Sequence, residues 1–168
     1  MSNGECLIRD RRRYQDANHN SRDHASIYTL HGEPIFFQHL DGPVYPTLRT
    51  LHKCMPETSC GSSGFLTVRV TDPSVLPVVG IDRGAIRFLL QGAHMMCPGM
   101  TSKGGYLPPT ESELLAGTPV ALHAEGKEHA VGIGILKLST EEIKRVNKNV
   151  GVETITYLGD DLWHAQKL

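Results

Sequence analysis

The 168-residue chain has a hydrophobic share of 39%, a charged share of 21% and a formal net charge of −1. These values are typical of a soluble globular protein with one ordinary domain or two small ones, and they exclude disordered and fibrous chains. No apolar run approaches the roughly 20 residues that cross a bilayer. The four irregularly spaced cysteines are too few for a disulfide scaffold, and the first residues lack the apolar core of a secretory signal. We therefore expect a cytoplasmic protein without a membrane anchor.

The N-terminal part of the chain begins polar and then becomes β-forming. Residues 1–25, rich in Arg, Asn, Asp and His, predict a flexible tail. Residues 27–30 and 34–38 predict two strands joined by a turn, and residues 46–53 predict a short helix that begins at a proline. We expect these elements to form a partial α/β module over residues 26–53.

Residues 54–76 interrupt this pattern. The segment is crowded with Gly, Ser and Pro and holds one candidate strand at 65–70, which predicts a linker or an insertion between two modules. His52, Cys54 and Cys60 are residue types that bind zinc. Three ligands in such a loop fall short of the four that a closed zinc site uses, so we expect no metal there.

The second module begins with a strand and a helix. Residues 78–81 predict the strand, and Asp82 is a suitable N-cap for a helix over residues 83–91. The apolar positions of this helix are expected on one face: Ala85, Ile86, Leu89 and Leu90. Residues 95–97 predict a short strand, which Pro98 and Gly99 are expected to end.

The remainder of the second module is mainly β. Residues 120–124 and 129–136 predict a hairpin. Ser139 and Glu142 form a capping box that opens a helix ending near Asn149, and residues 152–158 predict a closing strand. The order of strand, helix, several antiparallel strands, helix and strand within about eighty residues predicts a small, partly closed β-barrel with helices at its ends.

Two groups of residues resemble chemical sites at first sight. His123, Glu125, Glu128 and His129 surround the predicted hairpin tip, where a metal or acid–base site is one interpretation. Side chains splay apart at such a tip, so we favour a solvated turn. The pattern Gly132-x-Gly134 lies inside a strand with no helix after it, which excludes a dinucleotide fingerprint. We find no nucleophile or phosphate-loop motif, and we expect no catalytic residue and no cofactor.

Gly92 and Gly99 border the short strand that follows the first helix of the second module. Because glycines let another backbone approach closely, this stretch predicts a shallow saddle for a sugar-phosphate backbone; a plain turn over a core methionine pair is the alternative. Lys103 and Lys127 lie in loops beside it, where they either contact phosphates or are simply solvated. Residues 79–160 hold eight Lys and Arg against nine Asp and Glu, so binding would depend on shape and a few lysines.

Residues 82–100 resemble the opening of a PUA domain, the RNA-binding module of pseudouridine synthases and archaeosine transglycosylases. Three later stretches fit the same family: 124–127, 131–134 and 137–139. Residues 33–38 and 42–53 resemble the region before the PUA domain in the malignant T-cell amplified sequence family, and residues 157–164 resemble its C-terminus. The similarity covers residues 24–53 and 77–164.

This resemblance implies an α+β, mainly β fold with a C-terminal PUA pseudo-barrel of mixed strands and two helices. It places the PUA domain at residues 77–160 and leaves residues 161–168 as a C-terminal tail. Only the last third of the family's N-terminal domain is recognisable, so we expect a truncated N-terminal module.

The resemblance also implies a non-enzymatic, RNA-binding translation factor. Such a protein would act on the small ribosomal subunit in reinitiation, post-termination recycling and release of deacylated tRNA, together with a density-regulated protein homologue. Its RNA would be structured, either a tRNA or small-subunit rRNA. The residues expected to contact that RNA are Gln91, Gly92, Ala93, Met96, Pro98, Gly99, Lys103 and Lys127. Two other classes stay open: the RNA-targeting subunit of a pseudouridylation or methylation complex, and a pure protein-interaction module.

Overall fold

The computed structural model describes residues 8–13, 24–39, 42–53 and 75–165 of the protein. Within these ranges the chain forms nine strands, which are arranged in two sheets, and five short α-helices. In chain order the elements are β1 (Ile8–Arg13), β2 (His24–Leu30), β3 (Glu33–His39), β4 (Val44–Pro46), α1 (Leu48–Lys53), β5 (Val78–Ile81), α2 (Arg83–Leu89), β6 (Met95–Met96), α3 (Cys97–Thr101), β7 (Pro119–Ala124), β8 (Ala130–Leu136), α4 (Thr140–Val146), β9 (Val150–Tyr157) and α5 (Asp161–His164).

The first sheet is antiparallel, with the strand order β1-β2-β3-β4. β2 and β3 form the predicted hairpin, and its tight turn uses positive φ angles at His31 (53°) and Gly32 (81°). β1 lies within the segment for which the sequence predicted a flexible tail. A strand at the edge of a sheet tolerates charge, so the run Arg11-Arg12-Arg13 carries no apolar alternation from which a strand could be predicted.

The second sheet has the strand order β5-β7-β8-β9-β6 and curls into a half-barrel. β5 and β7 are parallel, and the other pairs are antiparallel. The core inside the curl is almost fully buried and includes Val79, Ile81, Leu89, Leu122 and Ile143. The expected α+β, mainly β architecture is therefore confirmed. The two expected helices are α2 and α4, and α3 and α5 are additional.

Two element boundaries in this half-barrel differ from the predictions. Pro98 and Gly99 lie inside helix α3 instead of ending a strand, because a proline is tolerated in the first turn of a helix. Helix α4 opens with the predicted capping box of Ser139 and Glu142 but ends at Val146. It ends there because Asn147 adopts a left-handed conformation with a φ of 47°.

Helix α5 occupies part of the segment that the sequence predicted to be a tail. Asp160 is its N-cap and is buried. The Asp160 carboxylate accepts hydrogen bonds from the N–H of Trp163 at 2.7 Å and from the hydroxyl of Thr156 at 2.5 Å. Leu162 is buried against the first sheet. A buried carboxylate that is satisfied in this way fixes the path from β9 into α5.

The Gly132-x-Gly134 pattern has a packing role in β8. A Cβ at Gly134 would lie 2.7 Å from the carbonyl oxygen of Glu153 on β9, and a Cβ at Gly132 would lie 3.1 Å from the carbonyl oxygen of Thr156. The pairing of β8 and β9 shifts register at this point. The two glycines therefore let the strands approach closely, which accounts for the pattern without a nucleotide.

The two sheets meet where α1 lies on β8. Leu48 of α1 packs with Ala130 and Ile133 of β8. Arg49 donates hydrogen bonds to the carbonyl oxygen of Trp163 from Nε at 3.2 Å and from Nη2 at 2.5 Å. Its guanidinium carbon also lies 4.5 Å from the centroid of the Trp163 ring. Apolar packing of Leu48 thus joins the first module to the second, together with the hydrogen bonds and the cation–π contact that Arg49 makes with Trp163.

Some predictions concern residues outside the described ranges. They are the candidate strand at 65–70 and the two cysteines, Cys54 and Cys60, that were considered as zinc ligands. Among the helices that the structure does describe, none is long and apolar enough to cross a membrane.

Candidate nucleic-acid interface

Helix α2 and the turn after it position the first group of predicted contact residues. Asp82 caps the helix by accepting a hydrogen bond from the N–H of Ala85 at 2.9 Å. After the helix the chain turns back at Gly92, whose φ of 81° is one that glycine adopts readily. Gln91 and Ala93 are exposed on this turn, whereas Gly92 is buried. Gly92 therefore shapes the turn and offers little surface of its own.

The next group lies on β6 and α3. Met95 is buried in the core, whereas Met96 is 50% exposed. The alternative, in which both methionines belong to the core, is therefore right for Met95 and wrong for Met96. Pro98 is exposed and Gly99 is half-buried. A Cβ at Gly99 would lie 3.2 Å from the Cβ of Ala85, so a glycine here lets α3 pack tightly on α2.

Lys103 and Lys127 lie in separate loops that meet at the start of α2. A Cβ at Gly104, next to Lys103, would lie 3.3 Å from the N-cap side chain of α2. A Cβ at Gly126, next to Lys127, would lie 3.5 Å from the guanidinium of Arg83. Both lysines are exposed, and neither forms an ion pair with a described residue. The two loops thus bring the lysines to the same end of α2.

The predicted contact residues therefore fall at two ends of one surface. One group lies around the start of α2 and consists of Pro98, Gly99, Lys103 and Lys127. Helix α3 is held there because the carbonyl oxygen of Gly99 accepts a hydrogen bond from the N–H of Asp82 at 2.9 Å. The others, Gln91, Gly92 and Ala93, lie at the end of α2, with Met96 on the strand that runs back between the two ends. A seven-residue helix is about 10 Å long, so the two groups are neighbours on one face of the domain.

Two exposed residues of α2 were missed by the sequence analysis. The guanidinium carbon of Arg87 lies 4.6 Å from the ring centroid of Phe88, and Phe88 is 47% exposed. Leu90, predicted on the buried face, is also exposed, because the helix ends one residue before it. Phe88 lies outside the predicted apolar face of the helix and directly follows Arg87. This pattern in the sequence could have identified Arg87 and Phe88 as surface residues.

The net charge of residues 79–160 is close to zero, but it does not show which individual charged side chains are available to a ligand. Three of its eight basic side chains are engaged with carboxylates: Arg83 with Glu125 at 4.0 Å, Lys144 with Glu141 at 2.9 Å, and Lys137 with Glu153. The other five are exposed and have no acidic partner within the described ranges: Arg87, Lys103, Lys127, Arg145 and Lys148. Three acidic residues are tied to the backbone as helix caps: Asp82, Glu142 and Asp160. The five cations without an acidic partner in the described ranges therefore lie on α2, in the two loops at its start, and at and just after the end of α4.

The histidines near the hairpin tip belong to the junction of the two sheets. His129 is exposed, as predicted for a solvated turn, and its ring centroid lies 4.8 Å from that of His52 on α1. His52 Nε2 lies 2.7 Å from the carbonyl oxygen of Ala130. Burial lowers the pKa of His52 and of His123, and their neighbouring histidines lower it further. No set of three or more ligand-type side chains in the described part of the chain is arranged to hold a metal ion.

Comparison with known proteins identifies both modules. A family model described as PUA domain matches residues 77–158, and one described as Pre-PUA-like domain matches residues 9–54. Malignant T-cell-amplified sequence 1 of Danio rerio is 44% identical over 144 residues, which are 86% of this chain and 67% of that protein. Translation machinery-associated protein 20 of Schizosaccharomyces pombe is 44% identical over 141 residues, 84% of this chain and 66% of that protein. The crystal structure of a PUA domain from Aeropyrum pernix K1 matches with a TM-score of 0.62 at 26% identity, covering 86% of this chain and 68% of that one.

These matches extend the similarity toward the N-terminus. The Pre-PUA-like match begins at residue 9, so it includes β1, whereas the resemblance found in the sequence began at residue 24. The chain spans about two thirds of the length of the Danio rerio relative, at 44% identity. The chain therefore belongs to the malignant T-cell-amplified sequence family of PUA-domain proteins.

Proposed function

We propose that the protein is a non-enzymatic, RNA-binding protein of the translation machinery. Family membership supports this role, since one relative is named as translation machinery-associated. The observation that carries the proposal is the position of Lys103 and Lys127. Both are exposed at the start of α2, and neither forms an ion pair with a described residue. Exposed lysines whose charge is not neutralised by a neighbouring carboxylate suit contacts with a phosphate backbone.

RNA fits this surface better than a sequence-read DNA duplex does. The interface has no long helix for a major groove, and its cations are few and local, which suits recognition of RNA by shape and phosphate contacts. In the proposed complex the two lysines contact phosphates while the remaining residues line the approach of the backbone. Those remaining residues are Gln91, Gly92, Ala93, Met96, Pro98 and Gly99. We propose a structured RNA, either a tRNA or small-subunit rRNA.

The finer role that we propose follows from the family. The protein would act in the cytoplasm on the small ribosomal subunit, in reinitiation and in post-termination recycling with release of deacylated tRNA. A density-regulated protein homologue would be its partner. In this proposal residues 26–53, together with strand β1, form the first module, and residues 77–160 form the PUA domain. Residues 54–76 connect the two, and residues 161–168 are the C-terminal end.

The proposal is tested by reversing the two charges in the full chain. In the variant K103E/K127E, we expect the affinity for tRNA and for purified small subunits to fall at least about tenfold at about 0.1 M salt, because each phosphate contact contributes strongly at that ionic strength. The control K53E/K137E changes the net charge equally, at two lysines already paired with Glu33 and Glu153. Binding of K103E/K127E equal to that of the control would contradict the proposal.

A second experiment tests the translational role. The tagged protein is recovered from cells and its complexes are separated on a polysome gradient. We expect it to sediment with small subunits and a density-regulated protein homologue. Recovery with an RNA methyltransferase or a pseudouridylation complex instead would favour the targeting-subunit alternative.

A further inference from the structure

Three histidines meet where the first module docks on the half-barrel. The ring centroids of His52 on α1 and His129 lie 4.8 Å apart, and Nε2 of His52 donates a hydrogen bond to the carbonyl oxygen of Ala130 at 2.7 Å. Ala130 is in turn the register partner of His123 on β7. We call His52, His123 and His129 the histidine cluster. It joins α1 of the first module to the β7–β8 hairpin of the second.

The surroundings of the histidine cluster offer it no carboxylate partner. Within the described ranges, no carboxylate contributes to the pKa of His52 or of His123. The carboxylates of Glu33, Glu125 and Asp160 are engaged with a lysine, an arginine and the backbone of α5, respectively. The ionisable groups on the elements around the cluster are Arg49 and Lys53 on α1, Glu33 on β3, Glu125, Lys127 and Glu128 on the hairpin turn, and Asp160, Asp161 and His164 on α5.

Docking of the first module therefore opposes protonation of the cluster. Burial lowers the pKa of His52 most, and the charges of His129 and Arg49 lower it further. Burial is also the main cause that lowers the pKa of His123, followed by its two histidine neighbours. A ring that leaves the cluster regains water and loses these neighbours, so it binds a proton more readily. Undocking thus takes up protons below about pH 6.5, and a falling pH favours it.

The half-barrel has a core that does not depend on the first module. Val79, Leu122 and Ile143 belong to the core inside the curl of the second sheet. The apolar residues of the first sheet, such as Ile27 and Phe37, instead form a separate cluster with Leu162 of α5, and α1 docks on β8 through Leu48. Because the two cores are separate, the first module can open as a unit while the half-barrel stays folded.

We propose that the histidine cluster is a pH-sensitive contact whose protonation at His52 and His123 detaches the first module from the folded half-barrel. Each extra proton bound by the open form lowers the docking equilibrium constant by about tenfold per pH unit. Trp163 is the single tryptophan of the chain, and its ring centroid lies 5.3 Å from that of His52. The emission of Trp163 therefore reports on this junction. The proposal concerns docking of the two modules and does not rest on RNA binding.

The test is hydrogen exchange in the full chain between about pH 7.5 and pH 5.5, corrected for the intrinsic pH dependence of exchange and accompanied by Trp163 emission. We expect exchange in β2, β3 and α1 to accelerate at least about tenfold over this interval, whereas β5 and β7 stay protected. The emission should shift to longer wavelength as Trp163 loses its contacts with α1. Acceleration of β5 and β7 together with α1 would overturn the proposal, because it would show unfolding of the whole chain.

The variant H52Q/H123Q removes the two rings whose protonation detaches the module. Glutamine at position 52 keeps a donor for the carbonyl oxygen of Ala130, and opening of the first module should change by less than about twofold over the same pH interval. The matched control is H164Q. His164 is exposed on α5 and lies outside the cluster, so this variant should keep the response of the unaltered chain.

A second variant tests the proposal without a change to a half-buried residue. His129 is exposed, and in H129E a carboxylate would lie beside His52 and raise its pKa. The acceleration in α1 should then shrink at least about threefold or reverse. An unaltered response in H129E or in H52Q/H123Q would overturn the proposal. Exchange in α1 of the unaltered chain that does not depend on pH would overturn it as well.

Discussion

Replacing Arg49 by alanine should loosen the first module from the second. The change removes two hydrogen bonds to the carbonyl oxygen of Trp163 and a cation–π contact with its ring at 4.5 Å. Hydrogen bonds from a charged donor are worth about 1.5–3 kcal/mol and an exposed cation–π contact about 0.5–1 kcal/mol. Because Arg49 is partly exposed, we expect the free energy of unfolding to fall by about 2 kcal/mol. In a domain of this size that corresponds to a decrease in Tm of about 4–8 °C.

The assay is thermal unfolding of the full chain, with hydrogen exchange to locate the change. We expect faster exchange in α5 and at the start of β8, where α1 docks, and unchanged exchange at the centre of β7. The matched control is Lys53→Ala on the same helix, whose ion pair with Glu33 is exposed and worth less than about 1 kcal/mol. A Tm for Arg49→Ala equal to that of Lys53→Ala would refute the assigned role of the arginine.

Three further predictions concern stability. Asp160→Ala should destabilise the protein by about 3 kcal/mol in chemical denaturation, because α5 loses its cap and the buried hydroxyl of Thr156 loses its acceptor. Gly134→Ala should cost about 1–3 kcal/mol, because the new Cβ would meet the carbonyl oxygen of Glu153 at 2.7 Å. Stability should also fall as the pH drops below about 6.5, since the pKa of half-buried His52 is lowered in the folded state and the unfolded chain then binds protons that the folded chain does not.

Each of these predictions has its own contrast. Asp161→Ala, one residue after the cap and exposed, should change stability little, and equal losses at the two aspartates would contradict the capping account. Gly84→Ala in α2 should stabilise the protein by about 0.4–1 kcal/mol, because its Cβ would have ordinary contacts at 3.5 Å. His52→Gln should flatten the pH dependence between about pH 6.5 and the lowered pKa; an unchanged Tm–pH curve would show that the junction does not titrate.

The elements that sequence alone predicted are those with local signals. The capping box of Ser139 and Glu142 and the Asp82 cap mark helix starts within four residues of chain, and the β2–β3 turn carries a glycine with positive φ. Such signals do not depend on distant partners. β1 and α3 lacked them. An arginine-rich edge strand has no apolar alternation, and the pair Pro98-Gly99 is as typical of a turn as of a first helical turn.

The exposed cations of this domain were predictable only in part, because some of them are positioned by tertiary contacts. Lys103 and Lys127 stood out as lysines in glycine-rich loops. Arg145 and Lys148 lie near the end of a helix, where basic residues are expected for reasons of the helix dipole alone. Their position beside the interface follows from the hydrogen bonds between α3 and the α4–β9 turn, which no local pattern encodes. The parallel pairing of β5 with β7 is equally non-local.

The salt dependence of tRNA binding by the unaltered full chain tests the proposed RNA-binding role of Lys103 and Lys127. We expect measurable binding whose logarithm falls linearly with the logarithm of the salt concentration, with a slope of about −1.5 or steeper from the contacts of Lys103 and Lys127. In K103E/K127E that slope should shrink by about 2 or binding should be lost. A salt-independent affinity, or no binding at low salt, would contradict an RNA-binding role for this surface.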